Sequence, residues 1–219
     1  RPFPYQITET RLEFDLAPCA TRVRSRIGFV RRGDGDLVLD GAGLKTLSLA
    51  VEPFDEAFMA RENSIFPEWL LGHHLGLTLE AQEQALLDET FATLSRNNQA
   101  QPQVVMHRDF HSRNLMVLAD ERLAVIDFQD MVLGPLTYDL VSLLKDCYVR
   151  WPLPLVRELT ALGYRAYQQA GLLSGMSEAQ FNRCLALTGM QRHLKAAGIF
   201  CRLHHRDGKS GYLKDIPRT

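Results

Sequence analysis

The stretch from Val104 to Asp130 holds the residues whose types and spacing could do chemistry. An apolar strand, Val104-Val105-Met106, runs into His107-Arg108-Asp109-Phe110-His111-Ser112-Arg113-Asn114. A strand at 115–118, a turn at 119–122 and a returning strand at 123–126 lead to Asp127-Phe128-Gln129-Asp130. A chain that goes out and back in this way brings Asn114 and Asp127 near one point, with Asp109 facing it from the loop. Polar groups gathered at strand ends are where function usually sits. Such a set suits phosphoryl transfer. One carboxylate orients the attacking hydroxyl and accepts its proton, and one or two further oxygens hold magnesium against the phosphates.

The spacing matches the kinase loop H-R-D-x-x-x-x-N in full through His107, Arg108, Asp109 and Asn114. Asp127-Phe128 stands where D-F-G would begin, with Gln129 in place of the glycine. An H-R-D tripeptide alone is a weak signal. Joined to the Asn offset, a hairpin and a following Asp-Phe it is a strong one, and the bland alternative is a hairpin with incidental acids.

The elements that must position these residues read as an α+β fold: a short antiparallel β-meander, then a mainly helical lobe carrying the hairpin. Apolar and polar residues alternate over Gln6–Leu16 and Val23–Val30, and shorter strands are expected at Leu37–Leu39 and Leu47–Val51, with turns at 32–36 and 40–43. After Pro53 the period becomes helical over Phe54–Leu75 and Leu79–Asn97. Thr78 is expected to cap the second helix, and Ala85, Leu86, Thr90, Phe91 and Leu94 to form its apolar face. Beyond Pro152 the chain reads as helical through about Leu203. The seam near Pro53 divides the chain into 1–53 and 54–219, and a meander of that size has too little core to stand alone.

Composition narrows the class. A formal net charge of -1 on 219 residues gives no support for a nucleic-acid or membrane partner. Cys19, Cys147, Cys184 and Cys201 lack disulfide or zinc spacing and read as reduced thiols. No apolar run is long enough to span a bilayer, and a cytoplasmic location is the expectation. The start without Met implies residues before Arg1, and the end at Thr219 comes earlier than a complete lobe would place it.

The loop and hairpin resemble the aminoglycoside phosphotransferase and choline kinase-like superfamily. Gly134-Pro135-Leu136-Thr137-Tyr138-Asp139-Leu140 reinforces the likeness. With Ile65–Trp69, Lys145–Pro152, Met190–Lys195 and His205–Lys209, residues 54–219 resemble the bacterial anomeric N-acetylmuramate/N-acetylglucosamine kinases of cell-wall recycling. That resemblance implies ATP and Mg2+, a small sugar or amino-sugar acceptor, Asp109 as catalytic base, and Asn114 and Asp127 as magnesium ligands. It implies loop support from His107, Arg108 and Asp139, and makes Asp130, Arg192, His193 and His205 candidates for the sugar side. His73-His74 reads as structural or exposed. Oligomeric state is left open.

The kinase pattern stops on its N-terminal side. Residues 1–53 contain no G-x-G-x-x-G run, and Lys45 is their one lysine. Pro4–Leu16, Ala20–Ser25 and Leu37–Gly41 instead resemble the opening β segment of bacterial aminopeptidase N, without the H-E-x-x-H of its zinc site. The expectation is a sugar kinase by ancestry whose activity is impaired because the ATP-gripping lobe is missing. The alternatives are a non-catalytic sugar-binding or structural module, or a fragment of an aminopeptidase N-type protein.

Overall fold

The computed structural model describes residues 52–119, 121–127 and 130–219, together with the backbone of two strands at 5–15 and 22–31. Those strands, β1 (Tyr5–Asp15) and β2 (Arg22–Arg31), pair antiparallel with an irregularity between Ile7 and Glu9. The strands expected at 37–39 and 47–51, Lys45, Cys19 and Phe128-Gln129 lie outside the described residues.

The remainder is built mainly from helices. α1 (Glu56–Ile65) starts at Asp55, whose carboxylate accepts the Phe58 backbone N–H at 2.7 Å. It continues without a break into a π-helical stretch, Phe66–His74. Helical spacing predicts that one continuous segment, and Pro67 falls in the first turn of the π-helical stretch, where its missing N–H is tolerated. α2 spans Ala81–Gln99. Its cap is Glu80 and not Thr78: the Glu83 carboxylate accepts the Glu80 backbone N–H at 2.9 Å. Its inner face keeps Thr90, Phe91 and Leu94 of the expected set but not Ala85 or Leu86. Leu94 and Asn98 are buried whereas Leu86 is 67% exposed.

Two small antiparallel sheets frame the loop. β3 (Gln103–Met106) pairs with β6 (Val132–Pro135), and β4 (Leu115–Val117) pairs with β5 (Leu123–Val125). Residues 52–54 run beside β6, with Phe54 N–H donating to the Leu133 carbonyl at 2.7 Å. Gly134, opposite Val104 in this pairing, leaves room for the Met106 side chain, since a Cβ there would sit 2.5 Å from Met106 Cε. α3 (Tyr138–Leu144) and α4 (Leu153–Gln169) follow, and then α5 (Glu178–Asp207). α5 has reciprocal Ser177–Gln180 capping and a left-handed stop at Gly208, φ 69°. The chain is thus α+β, with small antiparallel sheets set among helices.

α5 is the spine. Gly198 on it lies against the α1–π junction so closely that a Cβ would fall 2.5 Å from the Ile65 carbonyl oxygen and 2.9 Å from Phe66 Cα. One apolar cluster joins Phe54, Met59, Met106, Val132 and Tyr138, and a second joins Leu136, Val141, Leu173, Phe181 and Leu185. Between them runs a buried polar chain. Thr137 donates to Gln101 Oε1 at 2.8 Å, Gln101 Nε2 donates to Thr188 Oγ1 at 3.1 Å, and Thr188 donates to Asn98 Oδ1 at 2.9 Å. These bonds hold α2, α3 and α5 in one relative register, although Asn98 Nδ2 is buried without a hydrogen-bond partner among the described residues.

Candidate active site

The loop from His107 to Asn114 is held at both ends by carboxylates. Asp139, in the first turn of α3, accepts the backbone N–H of His107 at 2.6 Å and of Arg108 at 3.0 Å. Asp146, just past the end of α3, accepts the Ser112 N–H and the Tyr148 N–H, each at 2.7 Å. Burial pushes the Asp139 carboxyl above its ordinary value, and the two N–H donors with His107 and Arg192 only partly oppose that. His107 Nε2 donates to the Ile126 carbonyl at 3.0 Å, tying the loop to the strand end that delivers Asp127.

Asn114 and Asp127 meet. The Asn114 amide donates to the Asp109 backbone carbonyl at 2.9 Å and stands 3.3 Å from an Asp127 carboxylate oxygen. The Ile126 N–H donates to the Asn114 carbonyl at 3.0 Å, so the hairpin closes where these side chains emerge. Asp127 takes a φ of 65° and Arg108 one of 71°. Left-handed backbone at non-glycine residues costs on the order of 1–3 kcal/mol and persists where the surroundings over-determine it.

What holds Arg108 is a buried charge cluster. Its guanidinium donates to Glu62 Oε1 at 2.7 Å, Lys195 Nζ reaches the same oxygen at 2.6 Å, and Gln191 Nε2 lies 3.5 Å from the other. Lys195 also lies 3.3 Å from the Tyr138 hydroxyl. Burial by itself would raise the Glu62 carboxyl. Lys195 and Arg108 together outweigh it and hold Glu62 below its ordinary value. Glu62 and Lys195 had no mark in the local sequence, since they meet across 133 positions. Asp146 did carry one: it lies seven residues, two helical turns, after Asp139.

Asp109 lies in a cleft of about 570 Å3 with Phe58, Arg61, Trp69, Lys195, Ile199 and Arg202 among its wall residues. Arg61 sits over the Phe58 ring at 5.1 Å, and Arg202 Nε is buried without a hydrogen-bond partner among the described residues. None of the four sugar-side candidates is among the residues that line this cleft. Asp130 offers its backbone carbonyl to Arg108 at 3.3 Å. Arg192 is buried over the Tyr138 ring at 5.2 Å. His193 donates to the Lys145 carbonyl at 2.8 Å and lines a separate pocket with Met190 and Thr219. His205 is exposed beside His74, 3.2 Å away. The three described cysteines are free. No helix of the described residues is long and apolar enough to cross a membrane.

Comparison with known proteins bears on this arrangement. The model of the phosphotransferase enzyme family matches residues 37–173, a span that begins upstream of Pro53 and contains the whole loop and hairpin. A Pseudomonas aeruginosa protein named N-acetylmuramate/N-acetylglucosamine kinase is 44% identical over 165 residues, 75% of this chain and 48% of that protein. Its namesake from Neisseria meningitidis is likewise 44% identical, over 75% of this chain and 49% of that protein. A separate match of 54 residues, 46% identical, is to an aminopeptidase N of Caulobacter vibrioides, covering 24% of this chain and 6% of that protein. The chain spans about half the length of the kinases it matches. With the family model covering more than half of its residues, the chain belongs to the phosphotransferase enzyme family.

Proposed function

We propose that this chain carries the catalytic half of a protein kinase-like, ATP-dependent sugar kinase acting on the anomeric hydroxyl of N-acetylmuramate or N-acetylglucosamine in the cytoplasm. The observation that carries the reading is the pairing of Asp109, set in a cleft, with Asn114 and Asp127 at 3.3 Å from each other on the adjoining hairpin. Asp109 would accept the proton of the attacking hydroxyl. Asn114 and Asp127 present an amide oxygen and a carboxylate, the hard oxygen donors that magnesium takes, and would hold that ion. When bound, magnesium neutralises charge on the phosphate oxygens. His107, Arg108 and Asp139 keep the loop in place through the bonds above.

Support for a sugar acceptor comes from the cleft wall. Trp69 offers a flat apolar surface for a pyranose ring, and Arg61 and Arg202 offer cations to the carboxylate that N-acetylmuramate carries and N-acetylglucosamine lacks. Residues 1–53, which we treat as a segment separate from 54–219, contain no glycine-rich loop. Groups that stabilise transferring phosphate contribute several kcal/mol each, so slow turnover is expected of these 219 residues alone. Calorimetric titration tests the acceptor reading. N-acetylmuramate should bind more tightly than N-acetylglucosamine, and Arg202→Met should remove the difference. Equal affinity for both sugars and for unrelated hexoses would overturn it.

A further inference from the structure

Four histidines with no part in the proposed chemistry gather at the rim of the cleft. His74 is the last residue of the π-helical stretch, and His204 and His205 lie in the last turn of α5. His74 Nδ1 and His205 Nε2 are 3.2 Å apart. The His204 ring lies 4.7 Å from that of His205 and 6.3 Å from that of His74. His204 Nδ1 is buried and has no hydrogen-bond partner among the described residues. His73 stacks on Trp69, centroids 4.6 Å apart, and Trp69 lines the cleft.

We propose that His74 and His205 chelate a divalent transition-metal ion of the zinc or copper type at this rim. Two nitrogens bound at about 2.0–2.1 Å to a tetrahedral ion lie about 3.3 Å apart, which the observed separation already approaches with both rings in place. Imidazole pairs select zinc and copper over magnesium or calcium. The electrostatics agree. The stretch ending at His74 and α5 both present the C-terminal, carbonyl-rich ends that favour a cation. Arg206, next to His205 in the chain, is paired with Asp207 at 2.7 and 3.0 Å. Each ring can move its remaining proton to its other nitrogen, so binding to the neutral pair releases none. Among the described residues no three or more His, Cys, Asp or Glu side chains enclose an ion, so the site is a two-point chelate completed by water. An ion there would staple the π-helical stretch to α5 and stiffen the wall on which Trp69 sits.

The test is titration of the full chain with Zn2+ at pH 7.5, paired with Cu2+ electron paramagnetic resonance. The expected result is saturable 1:1 uptake, hyperfine structure from two nitrogens, and a loss of more than about tenfold in affinity in either His74→Ala or His205→Ala. Both side chains are exposed, and circular dichroism verifies that the variants fold. No saturable uptake by the unaltered chain, or uptake that survives both substitutions together, overturns the proposal. Persistence in that double variant with loss in Asp127→Ala would assign the ion to the Asn114–Asp127 pair instead and overturn it equally.

Discussion

Replacing Glu62 with alanine should be among the most damaging single changes in the helical lobe. The carboxylate faces two cations at 2.7 and 2.6 Å, and the side chains of Arg108, Lys195 and Glu62 are only 17%, 12% and 6% exposed. Removing the shared partner leaves two buried positive charges facing each other without their anion. Breaking a buried pair in this way costs about 3–5 kcal/mol, a large share of the roughly 5–15 kcal/mol of a whole domain. Lys195→Met should cost less, because Arg108 keeps Glu62. In Glu62→Met with Lys195→Met, one cation remains and the apolar replacements pack, so part of the loss should return. Urea denaturation followed by tryptophan fluorescence measures all three. A loss below about 1 kcal/mol for Glu62→Ala would put the cluster in the class of solvent-screened surface pairs and refute the argument. So would a double variant less stable than Glu62→Ala.

Other consequences follow from neighbouring contacts. Asp139→Asn can satisfy only one of the two loop N–H groups at 2.6 and 3.0 Å; it should destabilise by about 1–3 kcal/mol and raise amide exchange at His107 and Arg108, read by hydrogen exchange. Gly198→Ala places a Cβ 2.5 Å from a backbone oxygen of Ile65, and should lower stability by about 1–3 kcal/mol through overpacking; an unchanged denaturation midpoint would mean that α5 does not lie against the π-helical stretch as described. Stability should also fall in acid through Glu62. Its folded-state pKa lies below the ordinary 4.5, so its contribution is complete above that pH and is lost as the pH drops through the folded value. In Glu62→Gln that part of the acid loss should be absent from the pH profile.

How much of this was legible depends on the range over which each feature is encoded. The loop and hairpin are local: His107, Asp109, Asn114 and Asp127 fall within 21 consecutive positions, and the turn between β4 and β5 fixes their approach. The helices beyond Pro53 are visible in apolar period, and on α2 the expected Thr90, Phe91 and Leu94 do face inward, whereas Leu86 is exposed and its neighbour Leu87 is the half-buried one, a choice that the apolar pattern alone does not make. The cap on α2 was missed because Thr78 and Glu80 both offer side-chain oxygens. The cleft wall was not legible. Arg61, Trp69 and Arg202 come from two segments whose approach is set by Gly198, and only the packed structure shows that the small residue there is needed. Arg192 and His193, the expected sugar-side residues of α5, lie on the same helix as Arg202 but are not among the residues that line the cleft.

The most direct measurement is single-turnover transfer from γ-labelled ATP to N-acetylmuramate with the chain in excess, in the presence and absence of Mg2+, for the unaltered protein and Asp109→Asn. The account predicts slow, magnesium-dependent formation of labelled sugar phosphate that disappears in Asp109→Asn while the variant still binds the sugar. Labelling that survives Asp109→Asn would contradict it.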